Sequence, residues 1–193
     1  MELKTLIDTV HEDLDACLRA VSLDDAGGLR LQIEYDSLLL PEGLQRFELR
    51  CLQPKEFNVA VGHFGSINQS KDHVLLLDHQ GPQSQLFFSS APASPEQVFY
   101  IAHAVLSKEL RGWRDPATYL NGSPEVLRGH LTGGYGLLAH GPHVAMEAVA
   151  AAVSPLLTVR TVASHSLPGT KMVLTLDRKF VICESVEVLP GDH

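Results

Sequence analysis

Segment 130–143, with the sequence HLTGGYGLLAHGPH, combines three histidines with four glycines. A histidine side chain can act as a general acid, a general base or a metal ligand near neutral pH. A glycine-rich segment that leads into a helix start also exposes main-chain N–H groups, to which an anion can bind. The segment therefore indicates either the rim of the largest pocket or a set of tight turns with a structural purpose only.

His140 and His143 are three residues apart, on either side of a predicted helix start at Pro142. Structural zinc sites add cysteines or more histidines at recognisable spacings, and none stands nearby. The residue before a proline also avoids the helical conformation, so the two rings need not converge. We therefore predict no metal and no other cofactor, with a metal or an anion at this helix start as the alternatives.

An enzymatic alternative uses His130, His143 and His165 as the catalytic residues of a hydrolase or transferase, with or without a metal. His130-Leu-Thr matches half of a two-histidine phosphoesterase pattern, but the second half is missing because His165 is followed by Ser-Leu. The sequence contains neither a GxSxG nucleophile elbow nor a GxGxxG phosphate-binding motif. No catalytic signature therefore stands behind these histidines.

Binding without catalysis is predicted for two segments. Trp113 lies between Arg111 and Arg114, and Trp and Arg are enriched among the residues that dominate protein interfaces. Tyr135 is flanked by glycines, so its ring can stack and its hydroxyl can donate a hydrogen bond. The predicted ligand- or partner-binding residues are Tyr135, Gly134, Gly136, His140, Trp113 and Arg114.

The composition excludes several classes of function. The net charge is -8, from 15 basic and 23 acidic residues, and the basic residues are scattered singly, which argues against nucleic acid and anionic membranes as partners. The charged N-terminal residues predict neither a signal peptide nor a membrane span. The three cysteines form no CxxC pair, which is typical of buried thiols in a reducing compartment. We therefore expect a cytoplasmic protein of bacterial type.

The helices and strands that must position these residues are indicated by two different spacings of apolar residues. Apolar residues at spacings of four and three predict an N-terminal helix, with the stripe Leu3, Ile7, Val10, Leu14, Cys17 and Val21. From residue 29 the period becomes two, which predicts an antiparallel meander. Its strands are LRLQIEYD, FELRC, FNVAV, HVLLLDH and QLFFS.

Helix signals dominate the next part of the chain. Ser94, Pro95 and Gln97 have the spacing of an N-cap, a first helical residue and a capping box. Short helical turns follow as far as Arg128, and an Ala-rich helix is predicted from Pro142 to about Val153. Three strands end the chain, within LTVRTVASH, KMVLTL and KFVICESVEVL.

The predicted fold is α+β, a single domain over residues 1–193 with predominantly antiparallel sheet. It has an N-terminal helix, a central helix and an Ala-rich helix before a C-terminal three-strand meander. A division near residue 122 is the alternative.

The predicted function is that of a non-enzymatic binding or regulatory protein acting through protein–protein interaction, of the inhibitor, immunity or chaperone-adaptor type. The absence of catalytic motifs, the striped helix and an acidic surface suited to a basic partner support it. The expected partner is another protein or a second copy of the chain.

Overall fold

The computed structural model describes residues 16–36 and 44–190, together with Ile7. These residues form two compact units: unit 1 takes the chain before residue 77 and after residue 169, and unit 2 comprises residues 77–169. Antiparallel strands build the sheets of both units, and unit 2 adds α-helices. The predicted α+β class with mainly antiparallel sheet is confirmed. One domain over the whole chain, or a division near residue 122, stays a prediction.

Unit 1 contains nine strands in the part of the chain that is described, and they form two antiparallel sheets. The first sheet has the order β12-β3-β2-β1-β5 and the second the order β4-β11-β10-β6. The strands are β1 Ala16–Leu23, β2 Leu29–Asp36, β3 Leu44–Leu52, β4 Glu56–Asn58, β5 Gly62–Phe64, β6 Ile67–Ser70, β10 Met172–Leu176, β11 Lys179–Cys183 and β12 Ser185–Pro190.

Period-two alternation explains the core of unit 1. In β2, Leu31 and Ile33 are buried while Gln32 between them is exposed, so one face of the strand is apolar. Leu174 of β10 and Val181 of β11 belong to the same buried cluster. The two sheets therefore share one core, which removes their apolar faces from water.

The predicted N-terminal helix is wrong for its C-terminal part, which forms a strand. Strand β1 begins at Ala16, so Cys17 and Val21 belong to a strand and not to a helix. Ile7 is helical and packs partly buried against the core of unit 1, whereas the other N-terminal members of the stripe lie outside the described residues. In β1, pairing with β2 and β5 overrides a local helical spacing.

The strand predicted for HVLLLDH is also wrong. Val74–Asp78 is a 3-10 helix, and its residues Val74, Leu75 and Leu76 are buried. A short apolar run fits a buried strand and a buried helical turn equally well, because its periodicity cannot separate the two.

Unit 2 is built on a three-stranded antiparallel sheet of order β8-β7-β9. Its strands are β7 Gly81–Phe88, β8 Gly136–Pro142 and β9 Val159–Leu167. Its helices are α1 Pro95–Glu109, α2 Pro124–Gly133 and α3 His143–Val153, with a 3-10 helix at Pro116–Tyr119. Helix α3 packs on all three strands and against α1.

The start of α1 is as predicted. Ser94 accepts a hydrogen bond from the N–H of Gln97, and Pro95 occupies the first helical turn. The Ala-rich helix also occurs where it was expected, after Pro142.

The glycine-rich segment is not a loop. Helix α2 continues to Gly133, beyond the predicted Arg128, and residues 136–142 form β8. Gly134 ends the helix in the left-handed conformation, with φ 79°. Leu138 and Ala139 are fully buried. The glycines predicted turns, but the segment forms a strand of the sheet instead.

The first two predicted C-terminal strands are present as β9 and β10, whereas the third, KFVICESVEVL, contains two strands of different sheets, β11 and β12. Strand β9 pairs with β7, β10 with β11, and β12 with β3. They do not follow one another in a single meander, because the chain passes from unit 2 to unit 1 between β9 and β10.

Candidate functional site

Tyr119 of unit 2 is bound to the carboxylate of Asp78, which also pairs with Arg114. Its hydroxyl donates a hydrogen bond to the carboxylate of Asp78, and Nε of Arg114 lies 3.1 Å from Oδ2 of the same carboxylate. Tyr119 is buried, whereas the side chains of Asp78 and Arg114 remain 27% and 19% exposed. We call these three residues the Tyr119 cluster; Arg114 is one of the predicted binding residues, and in the cluster its charge is already compensated.

Strand β8 lies directly beside the Tyr119 cluster. Nδ1 of His140 is 3.3 Å from the carbonyl oxygen of Tyr119, and this contact fixes one side of the otherwise exposed ring of His140. The backbone of Gly141 faces the Tyr119 ring, and a Cβ at this position would be 2.5 Å from Cδ1 of the tyrosine. Two residues of the predicted segment therefore have a packing role around Tyr119.

The residues that follow Tyr119 close the outer edge of β8. Leu120 forms a β-bridge with Ala139. The backbone N–H of Asn121 donates to the carbonyl of Leu138 and its side-chain amide to the carbonyl of Leu137, both at 3.0 Å. The outer edge of β8 is thus paired over residues 137–139.

Ser84 and His143 form the hydrogen bond that most resembles catalytic chemistry. Oγ of Ser84 lies 2.8 Å from Nδ1 of His143, and a serine beside a histidine is the pair of a nucleophile and its base. Ser84, however, is 1% exposed, so a substrate cannot reach its hydroxyl in this arrangement. Helix α3 has no side-chain cap at its N-terminus, and the bond fixes that helix start to β7.

The three histidines of the enzymatic alternative do not meet. His130 lies on α2, where its Cβ is 3.8 Å from the place of a Cβ on Gly136 at one end of β8. His143 follows the other end of β8, roughly 20 Å away at about 3.3 Å per residue. His165 lies on the far strand β9, exposed, with its Nδ1 2.7 Å from Oγ of Ser164.

The remaining predicted binding residues belong to two segments, one at the junction of α2 and β8 and one after α1. Tyr135 is 77% exposed between α2 and β8, with Gly134 and Gly136 on either side of it. Trp113 is half-buried, and its backbone N–H donates to Leu110. That these residues bind a partner stays a prediction.

A small groove lies where the starts of α1 and α2 meet. Its lining residues are Pro95, Glu96, Phe99, Pro124 and Arg128, and none of them belongs to segment 130–143. Glu96 and Arg128 form an exposed ion pair across it at 2.9 Å. The expectation that segment 130–143 forms the rim of the largest pocket stays a prediction.

Strand β9 forms the other edge of the sheet and bonds to β7 with alternate residues. The N–H of Ser89 donates to the carbonyl of Thr158 at 3.0 Å, and the register continues from Phe88–Val159 to Ser84–Ala163. Hydrogen-bonded and non-bonded pairs alternate along an antiparallel ladder. Backbone groups that point away from β7 therefore belong to Val159, Thr161 and Ala163.

We call this outer side of β9 its open edge, because no other strand in the described parts of the chain pairs with it. Residues 162–166 are all exposed. Natural edge strands often carry charged residues, proline or a bulge, which discourage pairing; β9 contains Arg160 and a bulge between Ala163 and Ser166, but no lysine, proline or acidic residue. Sequence analysis predicted the strand but not its edge position.

The sheet face opposite α3 carries apolar side chains beside this edge. Phe87 and Val162 are 37% and 36% exposed. The register aligns Phe87 with Arg160, and Gln85 with Val162. Two apolar side chains, Phe87 and Val162, thus lie next to the open edge of β9, each directly opposite a polar or charged residue; we call these two residues the apolar strip.

Two cysteines that are far apart in the sequence lie together in unit 1. Cys51 and Cys183 are both fully buried, and their thiols form a hydrogen bond with one another. This bond and burial raise the pKa of the Cys51 thiol. Because only the thiolate is a strong nucleophile, we expect this cysteine to be unreactive.

Asp24 holds the turn between β1 and β2. Its Oδ1 accepts hydrogen bonds from the N–H groups of Ala26 and Gly28, at 2.9 and 2.7 Å, and its Oδ2 lies 2.5 Å from Nε of Arg50. The Gly28 N–H and the Arg50 guanidinium lower the pKa of the Asp24 carboxyl.

Sequence reasoning missed Asp78, Tyr119 and Ser84. A signal existed for Ser84, which alternates with Leu86 and Phe88 in QSQLFF and so shares their buried face. For Asp78 and Tyr119 no local pattern exists, because 41 positions separate them along the chain.

No protein family, no curated protein and no solved structure matches the chain. Among the described residues, no group of three or more His, Cys, Asp or Glu is placed to hold a metal ion. Nor does any helix in that part of the chain have the length and apolar character to span a membrane.

Proposed function

We propose that the protein is a non-enzymatic binding or regulatory protein that acts through protein–protein contact. Its contact surface is the open edge of β9 with the apolar strip beside it. One observation carries the proposal: the β8 edge of the unit 2 sheet is paired over residues 137–139 by Leu120 and Asn121, whereas on the β9 edge no other described strand is paired.

Strand addition is the mode of contact that this edge supports. An extended partner segment gains affinity from main-chain hydrogen bonds and specificity from alternate side chains. The outward N–H and C=O groups of Val159, Thr161 and Ala163 supply the main-chain hydrogen bonds and hence the affinity. Val162 and Phe87, which are partly exposed on the adjoining face, supply the side-chain contacts and hence the specificity.

A cytoplasmic location is part of the proposal. Three free, buried cysteines support a reducing compartment. A net charge of -8 supports a protein partner over nucleic acid or an anionic membrane.

Site-specific photo-crosslinking in cells that express the protein tests the proposal. A photoreactive residue replaces Val162 beside the edge or, as the matched control, Val126 of α2, which is 48% exposed. We expect a crosslinked polypeptide from position 162 and none from position 126. Thr161→Pro should abolish the crosslink, because proline removes an outward N–H and is tolerated on an edge strand. Equal crosslinking at both positions, or a crosslink that survives Thr161→Pro, would contradict the proposal.

A further inference from the structure

We propose that the occupant of the β9 edge is a second copy of this chain, paired antiparallel to the first about a two-fold axis at Thr161. This inference rests on the proposed function, since it names the partner at the same edge. It would join two three-stranded sheets into one continuous sheet, an isologous contact of the kind that most homodimers use.

The position of the axis follows from the regular part of β9. That part starts at Val159 and ends at Ala163, because between Ser84–Ala163 and Pro82–Ser166 strand β9 contains one extra residue. Such a bulge bends the strand and interrupts pairing. Thr161 is the midpoint of the regular stretch.

The outward backbone groups are self-complementary about that midpoint. With the axis at Thr161, Val159 lies opposite Ala163 of the second copy, and Thr161 lies opposite Thr161 of the second copy. Hydrogen-bonded pairs of an antiparallel ladder require outward groups from both strands at the same position. This register satisfies the requirement at all three outward residues.

The charges of β9 permit this register. Arg160 is the only formally charged residue of the strand, and the register places it opposite Val162 of the second copy. Like charges directly opposite each other destabilise a sheet, and here none face one another. Although the chain carries a net charge of -8, its open edge contains no acidic residue.

The apolar strip continues across the same axis. Phe87 and Arg160 are neighbours on adjacent strands, and Val162 of the second copy would lie beside Arg160. The methylene stem of an arginine covers apolar surface while its head stays in water. Pairing therefore covers the exposed part of Val162 in both copies.

The register predicts that an arginine at position 162 weakens the dimer more than a glutamate does. Val162→Arg puts an arginine opposite Arg160 of the second copy, whereas Val162→Glu puts a carboxylate there. We expect Val162→Arg to have a dimer Kd about tenfold higher than Val162→Glu, since each dimer contains two such cross-strand pairs. Net charge alone would act in the opposite direction, because glutamate makes an acidic chain more acidic.

Sedimentation equilibrium of the purified full chain measures these constants, and circular dichroism checks that each variant is folded. We expect the wild type and Thr161→Val to dimerise, and Thr161→Pro to be a monomer. A dimer that persists in Thr161→Pro, or equal constants for Val162→Arg and Val162→Glu, would overturn the inference. A monomeric wild type whose Val162 position still crosslinks to another protein would also overturn it while the proposed function stands. A monomer without any crosslink at Val162 would overturn both.

Discussion

The backbone of Gly141 packs against the aromatic ring of Tyr119, with no room between them for a side chain. A Cβ on residue 141 would be 2.5 Å from Cδ1 and 3.1 Å from Cε1 of the tyrosine, and the φ of Gly141 is 144°. This contact holds the segment after the 3-10 helix Pro116–Tyr119 against β8. It is one reason why that edge of the sheet is closed.

Gly141→Ala should lower the free energy of unfolding by about 3 kcal/mol, since it adds a steric overlap and a strained backbone. Urea denaturation measures the change. Gly129→Ala on α2 is the matched control: a Cβ there meets nothing within 4 Å, and alanine should stabilise the helix by about 0.5–1 kcal/mol. Equal stability of Gly141→Ala and the wild type would show that the contact is absent.

His143→Ala should lower stability by about 1–3 kcal/mol, because it leaves the buried hydroxyl of Ser84 without its partner. His130→Ala, on the exposed side of α2, should change stability by less than about 0.5 kcal/mol. Thermal melts of the two variants, together with dimer constants, test this. The structural interpretation of the Ser84–His143 bond fails if His143→Ala melts like the wild type.

Acid should destabilise unit 1 through Asp24. The folded state holds the pKa of this carboxyl below its ordinary value of 3.8. The ionised Asp24 therefore makes its full contribution to the free energy of unfolding above pH 3.8. It is lost as the pH falls through the lower folded-state pKa. Asp24→Asn should therefore lose less stability than the wild type between neutral pH and about pH 3.

Urea midpoints across this pH range give the comparison. Asp25→Asn, an exposed position in the same turn, is the control and should follow the wild type. Parallel pH profiles for Asp24→Asn and the wild type would contradict the role of Asp24.

None of the three cysteines should react with a thiol reagent in the native protein. Cys17 is 7% exposed, and Cys51 and Cys183 are fully buried. In denaturant all three should react, which a colorimetric titration counts. Rapid labelling of any of them without denaturant would refute the structural assignment.

The parts of the fold that local patterns determine were predictable. LRLQIEYD alternates so regularly that its bounds coincide with β2. The helix after Ser94 was marked by its cap. Such elements depend on side-chain period and on backbone hydrogen bonds within a few residues, which a single sequence contains.

The parts that depend on distant partners were not predictable. HVLLLDH became a 3-10 helix, and β1 formed from residues with helical spacing, because pairing and burial decide between conformations of similar local energy. The same limit applies to the candidate site. LTVRTVASH indicated a strand, but only the closure of the other edge by Leu120 and Asn121 distinguishes β9 as the open edge.

Residue-resolved amide hydrogen exchange of β9 tests the central claim most directly. In the free protein, the amides of Thr161 and Ala163 should exchange quickly, whereas those of Arg160 and Val162 are protected by β7. On association, Thr161 and Ala163 should slow by at least about tenfold as they acquire acceptors, while Arg160 and Val162 change little. Outward amides that exchange equally fast in the free and the associated protein would contradict the claim that the edge of β9 is the binding surface.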